Sequence, residues 1–170
     1  MSRVLLLDTN VWAHLVISDE PKRRKVQEQL AALVARYPGA TRATSAICVA
    51  EALVGARREA DAARAQAVEE RYRKEFAPDK VIIVPVNESV LDTAATLRAE
   101  ALRSAEARKG AQPVAADGGK LSLPDAIVAA SCLWFDPPAV LVTENIGDFK
   151  EFSVKGVFVG CVGGLTVESV

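Results

Sequence analysis

The stretch VLLLDTN, residues 4–10, decides how the rest of the chain is read. Val4, Leu5, Leu6 and Leu7 form an unbroken apolar run, the pattern of a strand covered on both faces, as in a parallel sheet flanked by helices. The chain then turns polar at once, with Asp8, Thr9 and Asn10. Asp8 therefore falls at the carboxyl edge of the strand. In open α/β sheets that edge is where ligands bind, because the connecting loops splay apart there and leave a crevice.

Outward from this strand, helical and extended patterns alternate. Residues 11–17 continue as a short helix, and Pro21 opens a second with Val26, Leu30, Leu33 and Val34 on one face, stopped at Tyr37-Pro38-Gly39. Residues 41–45 are rich in β-branched and cap-forming types. Thr44 or Ser45 is placed there to cap a helix over 45–60 that contains Glu51. A charged, alanine-rich stretch runs to Phe76 and ends at Pro78. KVIIVPV (80–86) is the clearest second strand, and Asn87 caps the helix that follows it. Residues 108–120, RKGAQPVAADGGK, have Gly, Pro and polar residues without periodicity and read as a mobile loop. Leu123-Pro124-Asp125 starts a helix that Pro137-Pro138 breaks, AVLVT (139–143) is another buried strand, and VFVGCV (157–162) is a short last one. Such alternation implies βαβ units, hence an α/β fold with a central, mostly parallel sheet. At 170 residues, half of them apolar, the chain fits a single domain over 1–170.

The formal charge of −1 excludes a strongly basic nucleic-acid binder by bulk charge but leaves room for a local basic face. Lys22-Arg23-Arg24-Lys25, Arg57-Arg58 and Arg71, Arg73 and Lys74 are candidate phosphate contacts, although charge runs usually mark solvated faces. Cys48, Cys132 and Cys161 are odd in number and lack a C-x-x-C pattern, so neither a disulfide framework nor a thiolate zinc site is indicated. With an opening apolar run far too short for a bilayer and no signal-peptide pattern, a soluble cytoplasmic protein without membrane association is expected.

The acids carry the chemistry. Asp8 and Asp148 each follow a strand, so they share one sheet edge. Glu51 in AICVAEALVG and Asp125 in LSLPDAIVAASC lie in mostly apolar helices, where a carboxylate is costly unless it is paired or binds a metal. Converging carboxylates without cationic partners repel, whereas a hard cation such as Mg2+ or Mn2+ prefers clustered oxygens. Each acid also has a plain structural use: Asp8 as a cap, Asp125 at a helix N-terminus, Asp148 in a turn. Glu51, in the middle of an apolar helix, has none so obvious. His14 is the single histidine and reads as packing or surface, which disfavours Ser-His-Asp or Cys-His catalysis.

Taken in order, VLLLDTN, AEALVGARR, LSLPDAIVAASC and LVTENIGDF resemble the motifs of PIN-domain nucleases, especially ribonucleases of the VapC toxin type. The resemblance implies a PIN-like α/β/α domain and a Mg2+- or Mn2+-dependent endoribonuclease, the toxin of a toxin–antitoxin pair. It assigns Asp8, Glu51, Asp125 and Asp148 as the metal-holding acids, with Thr9, Asn10 and Thr143 supporting them. At the fourth position Glu144 and Asn145 stand beside Asp148 as alternatives. It further implies an RNA substrate, a VapB-like antitoxin whose C-terminal segment covers the cleft, and a homodimer, for which the helices near Leu30 and Leu97 offer apolar surface. The competing readings are a catalytically silent PIN-like module that binds RNA or protein, a phosphoacceptor signalling domain, which wants an acid pair, and a haloacid-dehalogenase-like phosphatase. The last needs a second Asp two residues after the first, where this chain has Asn10.

Overall fold

The computed structural model describes residues 3–108, 121–149 and 158–161, with the backbone alone for 108, 146, 148 and 158–161. Its elements are β1 (Val4–Leu7), α1 (Thr9–Val16), α2 (Glu20–Arg36), β2 (Thr41–Ser45), α3 (Ala46–Arg57), α4 (Ala62–Glu75), β3 (Ile82–Val84), α5 (Glu88–Arg108), α6 (Leu123–Leu133), β4 (Val140–Thr143), α7 (Ile146–Phe149) and β5 (Phe158–Cys161). The strands form one sheet in the order β3-β2-β1-β4-β5, and every pairing is parallel. The expected α/β/α fold is thus present. No described helix is long and apolar enough to cross a membrane.

Alternation along β1 divides the core into two layers. Leu6 packs with Val84, Leu141, Val90 of α5 and Val128 of α6, whereas Leu5 and Leu7 pack with Val140, Val142, Trp12 of α1 and Leu30 of α2. Each such side chain contributes about 1.5–3 kcal/mol when fully buried. Leu30 and Leu97 are themselves buried in these layers as core residues.

Local chemistry ends the helices where the sequence indicated. Asp19 caps α2 through the Lys22 N–H, Asn87 caps α5 through the Val90 N–H at 3.1 Å, and Gly39 turns the chain after α2 in the left-handed region at φ 76°. Residues 41–45 depart from expectation, for they form β2, an interior strand of the sheet. Neither hydroxyl caps α3. Thr44 Oγ1 accepts from the Trp12 indole N–H at 3.0 Å and donates to the Leu7 carbonyl at 2.9 Å, while the Ser45 and Ser131 hydroxyls pair with each other at 2.9 Å. The strand is hydroxyl-rich because its neighbours supply partners for those groups. The loop expected over 108–120 lies, from residue 109 on, outside the described residues.

Thr44→Val should cost about 1–3 kcal/mol in urea unfolding, since it strands the buried indole N–H of Trp12. Ser45→Ala should cost less, because Ser131 Oγ keeps its bond to the Ile127 carbonyl. Equal losses in the two variants would contradict this account of β2.

Candidate active site

Three helices begin at the carboxyl edge of the sheet, and each brings an acid to it. Asp8 ends β1 and is the N-cap of α1, with its backbone N–H tied to the Val142 carbonyl of β4 at 3.0 Å. α3 follows β2 directly and places Glu51 one turn in. α6 carries Asp125 in its first turn, where Ser122 and Asp125 form a capping box: Ser122 Oγ donates to Asp125 Oδ2 at 2.5 Å and accepts from the Asp125 N–H at 3.2 Å. The sequence signal of this box is the signature S-x-x-D at 122–125. Asp148 lies in α7, and its side chain is outside the described residues.

Asp8 is buried, and every described group on it donates. The Thr9 N–H reaches Oδ1 at 2.7 Å and the Cys48 thiol reaches it at 3.8 Å, while Thr143 Oγ1 and Asn10 Nδ2 reach Oδ2 at 2.7 and 3.0 Å. Thr9 Oγ1 also donates to Glu51 Oε2 at 2.5 Å, and Asn10 Nδ2 also reaches Thr143 Oγ1 at 3.1 Å. Asn10 holds the segment after β4 as well, accepting from the Glu144 N–H at 3.2 Å. An amide in this role leaves residue 10 without the second acid of a dehalogenase-like site.

Burial raises the Asp8 carboxyl above its ordinary range, the hydrogen bonds from Thr143 and Thr9 pull the other way, and the charge of Asp125 adds to the rise. The Cys48 thiol is pushed up to about 12 by burial and then by Asp8. Asp125 and Glu51 are thus felt across the same small volume. Among the described residues no three His, Cys, Asp or Glu side chains are close enough to hold a metal by themselves. The donor set nonetheless suits a hard cation. It consists of carboxylate oxygens with no basic side chain bonded to them among the described residues, and Mg2+ commonly takes one or two carboxylates and keeps several waters.

Of the other candidates at the fourth position, Asn145 donates its N–H to Thr143 Oγ1 at 3.0 Å, and Glu144 Oε2 lies 2.6 Å from His14 Nε2, close but off the direction of a good hydrogen bond. His14 is buried, with Nδ1 3.0 Å from Ser18 Oγ. This contact spans 130 positions of sequence, from α1 to the end of β4, and had no local signal.

A cavity of about 410 Å³ opens from Thr9 and Glu51 between α1, α3 and α4, with Ala13, Gly55, Arg64, Arg71 and Tyr72 on its walls.

Compared with known proteins, residues 5–143 match the model of the PIN domain, and the chain belongs to that family. The toxin–antitoxin complex from Klebsiella pneumoniae is similar at 23% identity and a TM-score of 0.58, covering 98% of this chain and 99% of that one. VapBC-1 from nontypeable Haemophilus influenzae is similar at 18% identity and a TM-score of 0.61, covering 95% and 99%. VapBC2 from Rickettsia felis, bound to a DNA fragment from its promoter, is similar at 19% identity and a TM-score of 0.59, covering 93% and 98%. The search of curated proteins returned no match.

In EDTA at pH 7, Asp8→Asn should be at least as stable as the parent protein, because the amide is the neutral isostere of an acid whose folded-state pKa is raised. A raised acid pKa means that the native state holds its proton longer than the unfolded state, so the stability of the parent falls as pH rises through that range. The advantage of the variant should therefore shrink on acidification in thermal unfolding. An advantage that grows towards low pH would reverse the assigned shift.

Proposed function

We propose that this chain is a metal-dependent endoribonuclease of the VapC toxin type, a single PIN domain that cuts RNA. The observation that carries the reading is Asp8: a buried carboxylate, raised by burial and by Asp125, ringed by neutral donors and without a protein cation on it among the described residues. Such a group costs stability unless a bound cation offsets it. Family membership supports a nuclease, and the neighbouring structures are toxin–antitoxin complexes.

Asp8 and Asp125 would hold the ion, Asp125 through Oδ1, which has no hydrogen-bond partner among the described residues. A bound divalent cation supplies an acidified water and neutralises charge on the phosphoryl oxygens. Glu51 has one oxygen on Thr9 and the other without a hydrogen-bond partner among the described residues, so it orients the attacking water or takes its proton. Thr143 and Asn10 keep Asp8 in place, and Asp148 serves as an outer acid. In-line attack of water on phosphorus breaks the bond to the 3′ oxygen, which leaves with a proton, giving a 5′-phosphate and a 3′-hydroxyl. The regulatory partner in this reading is a VapB-like antitoxin, the toxin is a homodimer, and the setting is the cytoplasm.

A non-catalytic binding module is the second reading. It is favoured by the capping duties of Asp8 and Asp125 and by the absence, among the described residues, of a three-ligand cluster.

RNA cleavage should stop in excess EDTA and return with Mg2+ or Mn2+. Asp8→Asn and Glu51→Gln should each lower it by about a hundredfold, equivalent to about 2.7 kcal/mol of transition-state stabilisation. Mg2+ should also raise the Tm of the parent more than that of Asp8→Asn, since a ligand stabilises the native state in proportion to its binding. Cleavage that persists in EDTA would overturn the metal dependence, whereas an inactive parent with a Tm indifferent to Mg2+ would hand the site to the second reading.

A further inference from the structure

The basic residues of α3 and α4 are not equivalent. Arg57 and Arg73 both bind Glu69, at 3.0 and 2.6 Å, and Arg64 pairs with Glu59 at 3.1 Å. Arg71 is exposed and has no hydrogen bond or ion pair among the described residues. It nevertheless lies on the wall of the cavity that begins at Thr9 and Glu51, one turn from Ala67 and Val68 on the same stripe of α4. Across from it α3 carries Gly55, where an added Cβ would meet nothing within 4 Å. Packing does not require that glycine, and its missing side chain keeps the groove wide.

We infer that Arg71 is a binding residue of this groove, whose guanidinium takes a backbone phosphate of single-stranded RNA next to the one held at the acidic edge. This rests on the nuclease reading above. A polyanion needs cations placed away from the carboxylates that hold its scissile group, and an unpaired guanidinium can offer a phosphate two parallel N–H donors without first giving up a carboxylate. Arg57, Arg64 and Arg73 would each have to abandon one.

The experiment measures cleavage of a short single-stranded RNA at fixed Mg2+ by the parent, Arg71→Gln, Arg71→Lys and Lys74→Gln. Lys74 is exposed on the same helix, has no partner among the described residues and is not on the cavity wall. Arg71→Gln should raise KM by about tenfold with kcat nearly unchanged, Arg71→Lys should recover part of that, and Lys74→Gln should behave like the parent. The slope of log KM against log salt should fall by about 0.7, the value for one phosphate contact on a single strand. A methylphosphonate moved along the RNA should find one linkage whose neutralisation weakens the parent but not Arg71→Gln. A parent that cuts RNA, with Arg71→Gln matching Lys74→Gln and additive methylphosphonate effects, overturns the role of Arg71 and leaves the nuclease reading intact. A parent that neither binds nor cuts RNA overturns both. Wild-type RNA kinetics in Arg71→Gln together with lost affinity for an antitoxin would give the groove to a peptide and overturn the inference.

Discussion

One carboxylate at the end of the first strand organises this molecule. Asp8 closes β1, caps α1 and receives hydrogen bonds from Thr9, Asn10, Cys48 and Thr143, which belong to α1, α3 and β4. Charge buried under neutral donors is only partly compensated, as its raised pKa records. The surrounding elements hold it there because β1 is the middle strand, locked on both sides by parallel partners and covered by two apolar layers. The rigid part of the fold thus carries the electrostatic strain of its edge.

Parallel topology explains why Glu51 arrives at the same edge as Asp8. Every strand points its carboxyl end the same way, so each following helix starts at one edge and delivers its first turns to one crevice. Glu51 lies one turn into α3, which follows β2, and is bonded by Thr9, whereas Asp125 lies in the first turn of α6, whose preceding described element is α5, and is held by Ser122.

What the amino-acid order revealed depended on how local each cause was. The apolar run Val4 to Leu7, the cap at Asn87 and the stop at Gly39 act within a few residues of themselves, and they were legible. β2 was not, because TRATS has no apolar run; its burial comes from lying between β1 and β3, and its hydroxyls are satisfied by Trp12, Leu7 and Ser131. The candidate acids stood out as charges in apolar surroundings and S-x-x-D at 122–125 is a local signal, yet the placing of Glu144 against His14 emerged only in three dimensions. Arg71 and Arg73 look alike in sequence. Two residues of helix turn them about 200° apart, which sends one to Glu69 and the other to the groove.

The margin of the sheet has a consequence for solubility. β3 is an edge strand with Ile82 and Ile83 40% and 39% exposed, a combination that invites other chains to add on as further strands. The edge is kept too short for that. β3 has three residues, and Pro85 follows with no N–H to offer an incoming strand. Pro85 therefore protects the chain against self-templated aggregation at the side of the sheet farthest from β5, without touching the acidic edge.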